Sequence, residues 1–298
     1  LAIVTSYTLA IFLAAITNPP VSGRDELFYV LSAAMVLAGV GLLDDLITLP
    51  VWPRLVLELG AGLMLWQLGT GVSLTGINVL DLMLTLLWVV VVTNAFNLLD
   101  NMDGLSAGIA AICCIAIFAL AVSSDQFLVA GMAAGLAGCA LGFLRENFHP
   151  ADVFMGDSGA LYLGFLVAYL GIKLDVPGDG VETFLVPLLV CSVALFDTSL
   201  VVVSRLLGKR NPFQGGRDHV SHRLVLLSLS VPAAVAWMYC AAVVTGALAL
   251  LVSRVDRASS WLLGILVLVI MAVGGRLLLE ISVYPDEQDQ SSAELQPD

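Results

Sequence analysis

The sequence has few charged residues. Of its 298 residues only 12% are charged and 59% are hydrophobic, and the mean hydropathy is +1.00. So little polar surface cannot cover a water-soluble globule of this size, which excludes a soluble domain. The ten-residue alternation of a transmembrane β-barrel is also missing. Lipid must therefore be the solvent for most of the chain, and nothing in the sequence suggests a nucleic-acid partner.

Cysteine motifs and an N-terminal leader are lacking as well. The five cysteines lie inside apolar runs without metal-ligand spacing, which favours small buried hydrophobes over zinc ligands or disulfides. The chain begins at Leu1 within an apolar run, with neither Met nor a basic leader. We expect it to be a fragment that lacks its true N-terminus.

The apolar segments have the length of membrane helices. Each extends over about 16 to 22 residues, close to what a helix needs to cross about 30 Å of hydrocarbon. The pattern predicts an all-α, polytopic integral membrane bundle with ten transmembrane helices. These lie near 1–17, 27–43, 54–69, 80–97, 105–122, 126–144, 158–173, 183–206, 231–252 and 260–280.

The linkers between these helices are short, so residues 1–280 are predicted to form a single transmembrane domain. Residues 18–20 and 177–180 are rich in proline and glycine and predict turns. Residues 281–298 are predicted to be a disordered acidic tail on the cytoplasmic side. The tail contains Asp286, Glu287, Asp289, Glu294 and Asp298.

Four polar clusters share one side of the predicted bundle. They follow the second, fourth, sixth and eighth helices, in residues 44–45, 94–103, 147–157 and 209–223. Eight basic residues lie on this side and four on the other. The positive-inside bias therefore indicates that the clusters face the cytoplasm.

The first cluster is a pair of adjacent carboxylates. Asp44 and Asp45 end a helix, where mutual repulsion and the helix dipole both disfavour negative charge. A hard divalent cation such as Mg²⁺, bound together with substrate phosphates, would compensate for that charge. A solvated pair at the membrane interface is the alternative.

The second cluster is a polar stripe at the mouth of an apolar helix. Amides and carboxylates at three-residue spacing lie along one helix face, and they are unfavourable there unless they bind something. An N-cap for the next helix would explain Asp103 but not the others. The stripe consists of Asn94, Asn97, Asp100 and Asp103.

Single acidic residues mark two further helices. Asp157 lies between glycines where a helix begins, and it is either an N-cap or a ligand for metal or phosphate. Asp197 lies inside the eighth helix, where an ionisable group is a functional candidate. His149 and Glu58 are weaker candidates, and we expect both to anchor the chain at the interface.

The loop before the ninth helix is the most basic segment. It contains Lys209, Arg210, Arg217, His219, His222 and Arg223. Such a loop binds either anionic lipid headgroups or a pyrophosphate held by guanidinium groups. The nearby acidic clusters favour the pyrophosphate, and a zinc site is disfavoured because no cysteine accompanies the imidazoles.

These segments together resemble a known family, the polyprenyl-phosphate N-acetylhexosamine-1-phosphate transferases. The motifs GLLDDL, NAFNLLDNMDGLSAG, FMGDSGALYLGF and PFQGGRDHVSHRL occur in the family's order over roughly residues 1 to 280. The resemblance implies eleven helices in the full-length protein. It also implies a bacterial plasma-membrane enzyme with a cytoplasmic site, a bilayer environment and a homodimer as a further expectation.

The implied reaction moves a sugar-1-phosphate from a UDP-N-acetylhexosamine to a polyprenyl phosphate and releases UMP. It requires Mg²⁺, for which Mn²⁺ is an alternative. The attack is direct or passes through a covalent aspartyl intermediate, and the residues leave both open. Most of the catalysis is expected to come from charge neutralisation and alignment.

The resemblance also assigns roles to individual residues. Asp44, Asp45 and Asp157 are implied as catalytic, and Asp157, Asn97 and Asp44 as metal ligands. The implied nucleotide pocket and phosphate contacts are Asn94, Asp100, Asp103, Asn147, Arg217, His219 and His222, and Asp197 is added as a substrate-binding candidate.

The chain departs from the family's pattern at three positions. Asn101 stands where glycine is usual, Glu58 where glutamine is common, and Ser221 at a position often held by histidine. The HVSHRL sequence favours UDP-N-acetylglucosamine as the donor, with phospho-N-acetylmuramoyl-pentapeptide transfer as the alternative. A proton- or ion-coupled transporter is the alternative from another class, although no internal repeat supports it.

Overall fold

A computed structural model describes residues 1–17, 23–176, 181–212 and 215–284, with the side chains of residues 181–182 excepted. The described part is all-helical, as predicted, and contains twelve helices. They are α1 (Ala2–Thr17), α2 (Arg24–Ile47), α3 (Val51–Gln67), α4 (Asn78–Leu99), α5 (Leu105–Ser123), α6 (Phe127–Asn147), α7 (Gly156–Lys173), α8 (Val181–Val190), α9 (Ser192–Leu207), α10 (Val220–Leu226), α11 (Val231–Val252) and α12 (Arg257–Leu279).

Each of the ten predicted segments is helical, but the count of ten spans is not supported. In the described ranges six helices are long and apolar enough to cross a membrane: α2, α4, α5, α6, α11 and α12. Counting the bent pair α8–α9 as one span makes seven. The helices α1 and α3, with 16 and 17 residues, are shorter than the roughly 20 residues that a span requires. The chain is thus a polytopic membrane protein with fewer clear spans than predicted.

The predicted helix at 183–206 is broken. The segments on either side of Cys191 meet at a bend of 73°. Pro187 lies inside the first segment, and because proline lacks a backbone N–H it weakens the helical hydrogen-bond ladder there. Residues 220–226, predicted as part of a loop, form the short helix α10 instead.

The helix α7 is the centre of the bundle. Every residue from Ser158 to Gly171 is buried, and α2 and α4 pack along its length. Gly164 permits the approach of α4, because a Cβ there would lie 2.7 Å from the Thr93 carbonyl oxygen. Where α7 ends and α2 begins, Lys173 Nζ of α7 donates to Glu26 Oε2 of α2 at 2.7 Å. The position of α2 along α7 is therefore fixed by a polar contact as well as by packing.

Two predictions lie outside the described residues. These are the turns at 18–20 and 177–180 and the acidic tail, of which only residues 281–284 are described. Both stay predictions.

Gly108 provides a test of the packing between α5 and α11. A Cβ at this position would lie 2.0 Å from the hydroxyl of Tyr239, which donates to the Gly104 carbonyl. Overpacking of this kind costs about 1–3 kcal/mol, so G108A should lower the melting temperature in detergent. The matched control is G131A, where no atom lies within 4 Å. Equal melting temperatures for the two variants would contradict this packing.

Candidate active site

The three predicted metal ligands meet around one guanidinium group. Arg54 Nη1 lies 3.5 Å from Asp44 Oδ2, 3.5 Å from Asn97 Oδ1 and 3.3 Å from Asp157 Oδ2. Asn97 also donates from Nδ2 to Asp157 Oδ1 at 2.8 Å. Side chains from α2, α3, α4 and α7 thus converge on a single point that holds a positive charge.

Asp45, predicted as catalytic, binds the start of α7. Its Oδ1 accepts from the Asp157 backbone N–H at 2.9 Å, and its Oδ2 accepts from Ser158 at 3.3 Å. Helix N-terminal N–H groups have no partner within their own helix, and a carboxylate there also stabilises the dipole. Asp45 therefore caps α7 from a neighbouring helix and fixes the backbone that bears Asp157.

Close approach makes this cap possible. A Cβ at Gly41 would lie 2.5 Å from the Asp157 carbonyl oxygen, and a Cβ at Gly156 would lie 2.7 Å from Asp45 Oδ2. Gly156 also adopts a φ of 67°, in the left-handed region that favours glycine. The glycine before Asp157 is therefore required both by its own backbone and by the neighbouring carboxylate.

Asp100 joins this acidic group from the turn after α4. Burial, together with the negative charge of Asp157, raises the pKa of Asp100 to about 7, although the Gly156 backbone N–H opposes the rise. Four carboxylates, Asp44, Asp45, Asp100 and Asp157, thus lie near the start of α7, and Arg54 is bonded to two of them.

The chemistry of the donors fits a hard divalent cation. Carboxylate and amide oxygens are the ligands that Mg²⁺ takes in proteins. In the described residues no three His, Cys, Asp or Glu side chains come close enough to enclose a metal by themselves. The fit therefore depends on the mixed set of Asp44, Asp157 and the amide of Asn97, at the point where Arg54 now lies.

Glu58 does not anchor the chain at the interface, so that expectation was wrong. It is fully buried and accepts a hydrogen bond from Asn94 Nδ2, while its Oε1 has no partner among the described residues. Asn94 also donates to the Val90 carbonyl oxygen at 2.9 Å. Glu58 lies one turn beyond Arg54 on α3. The bonded side chains of Glu58 and Asn94 therefore extend the polar group deeper into the bundle.

Asp103 and Asn147 hold two turns together beside this group. Asp103 Oδ2 lies 2.8 Å from His149 Nδ1 and accepts from Ala151 N at 3.2 Å. Asn147 accepts from Gly104 N at 3.1 Å and donates to Val153 O at 2.9 Å. Their predicted contacts with a nucleotide stay predictions.

Asp197 holds the basic segment to α9. Its side chain is fully buried, with Oδ2 at 2.7 Å from His219 Nδ1 and Oδ1 accepting from Val220 N at 2.7 Å. The bond at Nδ1 fixes the orientation of the imidazole and leaves Nε2 as its other polar atom. Direct substrate binding by Asp197 stays a prediction.

Much of the basic loop binds its own chain. Arg205 and Arg210 donate to Asp218 at 3.1 and 3.0 Å, and Arg223 donates to the Leu278 carbonyl at 2.9 Å. Although burial of the side chain opposes it, bonds from Ser204 and Arg205 hold the pKa of Asp218 below its usual range. These arginines therefore build the loop.

Of the predicted phosphate contacts in this loop, His219 is buried, whereas Arg217 and His222 remain accessible. Arg217 is exposed, and His222 is half-buried beside His219. Burial, with the charges of His219 and Arg217, lowers the pKa of His222, which favours a neutral imidazole.

Sequence reasoning missed three contributors. From the sequence, Arg54 is only one of the eight basic residues on this side, His149 is expected to anchor the chain at the interface, and Asp218 is not named as a candidate. The spacing of Arg54 four residues before Glu58 on α3 was an available signal. Nothing in the sequence pointed to Asp218, because its partners come from α9, the basic loop and the segment after α12.

Comparison with known proteins identifies the family of this chain. The sequence pattern of glycosyl transferase family 4 matches residues 27–175, which is half of the chain and contains the acidic group. The chain belongs to glycosyl transferase family 4. The basic loop lies beyond the matched residues.

Individual relatives are similar to the chain over a longer or a shorter part of its length. A probable undecaprenyl-phosphate N-acetylglucosaminyl 1-phosphate transferase of Bacillus subtilis is 30% identical over 74% of this chain and 65% of its own length. A decaprenyl-phosphate N-acetylglucosaminephosphotransferase of Mycobacterium leprae is 31% identical over 67% of this chain and 58% of its own length. A phospho-N-acetylmuramoyl-pentapeptide-transferase of Moorella thermoacetica is 45% identical over 38% of each chain. The chain thus spans less than two thirds of each of these relatives.

The raised pKa of Asp100 predicts how stability depends on pH in this family member. The folded state favours the protonated acid, so its contribution to stability is present at low pH and is lost as the pH rises through about 7. Without divalent metal, the melting temperature of the wild type should fall relative to that of D100N between about pH 5 and about pH 8. If the melting temperatures of the two proteins changed with pH by the same amount, the raised pKa of Asp100 would be contradicted.

Proposed function

We propose that this chain transfers N-acetylglucosamine-1-phosphate from UDP-N-acetylglucosamine to a polyprenyl phosphate and releases UMP. The observation that carries the proposal is the convergence of Asp44, Asn97 and Asp157 on one cationic position at the start of α7. A pyrophosphate donor requires such a position, because charge neutralisation is the main part of phosphoryl transfer. The names of the relatives supply the substrate class.

Mg²⁺ is proposed as the cofactor, held by Asp157, Asn97 and Asp44, and Mn²⁺ is its substitute. When bound, the metal would supply positive charge to the donor's phosphates. Arg54 lies against the same oxygens and would contact a phosphate that enters the site. Asp45 would hold Asp157 in place through the cap on α7, which makes it a positioning residue in this scheme.

In the proposed reaction an oxygen of the polyprenyl phosphate forms a bond to the β-phosphorus of the donor. The bond from that phosphorus to the bridging oxygen breaks, and UMP leaves with the electron pair. The acceptor phosphate is largely ionised near neutral pH, so no strong base is needed. His219, His222 and Arg217 would lie toward the phosphates on the side of the basic loop.

The proposed location is the bacterial plasma membrane, with the site on the cytoplasmic face. The excess of basic residues on the side of the polar clusters supports this orientation. Homodimer formation stays a prediction. Phospho-N-acetylmuramoyl-pentapeptide transfer is the second candidate, supported by the partial similarity to the Moorella thermoacetica relative. No observation on the described helices favours a transporter.

Release of UMP tests the proposal directly. Membranes that contain the protein should release UMP from UDP-N-acetylglucosamine only when both undecaprenyl phosphate and Mg²⁺ are present, and a chelator should abolish the release. UMP from the muramoyl-pentapeptide donor alone would support the second candidate. UMP release that continues in excess chelator would contradict the metal assignment.

Asp157→Asn tests the centre of the site. Loss of its charge should lower kcat at least about 100-fold, because a carboxylate that neutralises charge in the transition state is removed. The matched control is D256N at the start of α12, where Asp256 is exposed and accepts from Ser259 N at 3.1 Å. The control should keep full activity, since asparagine also caps helices. Equal activity of both variants would remove Asp157 from the mechanism.

A further inference from the structure

A hydrogen bond between two side chains joins the acidic turn to the basic segment. Ser221 Oγ donates to Asn101 Oδ1 at 2.6 Å, and Asn101 Nδ2 donates to the Leu98 carbonyl at 2.7 Å. Ser221 is fully buried. Because both ends of the Asn101 amide are bonded, its orientation is fixed, and the hydroxyl of Ser221 has one defined acceptor.

The two residues lie at the centres of two functional segments. Asn101 is in the turn that begins with Asp100 and contains Asp103. Ser221 lies on α10 between His219 and His222. The bond therefore connects carboxylates and imidazoles from segments 120 positions apart in the chain.

The rest of α10 is attached elsewhere. His219 and Val220 are bonded to Asp197 on α9, and Arg223 is bonded to the carbonyls of Leu278 and Ile281 at the end of α12. Within the described ranges, the Ser221 bond is the one side-chain hydrogen bond from α10 to the turn after α4. Without it α10 would stay attached to α9, α11 and α12, but no side-chain hydrogen bond would hold it to the acidic turn.

We propose that Asn101 and Ser221 form a positioning pair that fixes the gap between the acidic turn and the imidazoles, and thereby the position of the nucleotide-sugar donor. This inference rests on the proposed function, in which the donor lies between these segments. A change in this gap would move one set of donor contacts away from the other and would weaken binding of the donor. The two residues are also positions at which the chain departs from the family's pattern, and here the two departures contact each other.

The test is a double-mutant cycle on N101A and S221A. The affinity for UDP-N-acetylglucosamine with Mg²⁺ is measured by calorimetry on the full chain in detergent, and kcat is measured at saturating substrates. Each single variant should bind about tenfold more weakly, and the double variant should bind no more weakly than the weaker single variant, because one shared bond is lost. Turnover at saturation should stay within about twofold, since neither residue is assigned to the reacting atoms.

The control variant is S123A at the end of α5, where the serine hydroxyl donates to the Leu120 carbonyl within its own helix. It should bind like the wild type. Melting temperatures of all variants show whether each one folds.

Three outcomes would overturn the inference. The first is unchanged affinity in the single variants. The second is a double variant whose loss equals the product of the single losses. The third is a pair of substitutions that are coupled in their effect on melting temperature but not in their effect on donor affinity, which would make the bond purely structural. A wild type that binds no UDP-sugar overturns the proposed function and this inference together, whereas a wild type that binds normally confines the failure to the pair.

Discussion

The contact between Asp45 and the start of α7 is the interaction on which the rest of the site depends. It satisfies two backbone N–H groups that have no partner within their helix, and it places the carboxylate where the helix dipole is positive. Gly41 and Gly156 allow α2 to approach closely enough for the contact to form. Since Asp157 is the first of the two capped residues, its backbone is set by a neighbouring helix before any ligand arrives. The bond between Lys173 and Glu26 holds the opposite ends of the same two helices.

The same geometry gives the site an excess of negative charge. Four carboxylates are gathered near the start of α7, and the Arg54 guanidinium contacts only two of them. The raised pKa of Asp100 is the consequence, because burial and the charge of Asp157 both favour its neutral form. This surplus of negative charge is the reason that a divalent cation is proposed for the site, with Arg54 as a contact for the phosphates that would accompany it.

The basic loop divides into groups that build it and groups that remain accessible. Asp218 collects bonds from Arg205, Arg210 and Tyr284, and the Arg210 guanidinium lies 3.8 Å from the centre of the Tyr284 ring. The segment after α12 thereby stabilises the loop that precedes α11. Arg217, which is exposed, and His222 are left beside the His219 imidazole that Asp197 orients. The loop thus leaves only part of its basic side chains to a ligand, and the exposed Lys209 is also among them.

The sequence by itself determined that the chain is helical, that it lies in membrane and that its polar clusters share one end. These conclusions depend on apolar segment length and on side alternation, which are local properties of the chain. The resemblance to a known family selected Asp44, Asn97 and Asp157 as one set, and their side chains do meet at Arg54. Only the tertiary structure decided what each group binds. Asp45 caps a helix more than a hundred positions away, Arg54 lies among the predicted metal ligands, Glu58 is buried against Asn94, and Asp197 holds His219. The helix bounds that reduce the number of clear spans, and the bend at Cys191, were likewise seen only in the structure. Such pairings arise from helices that are distant in sequence, so no local pattern contains them.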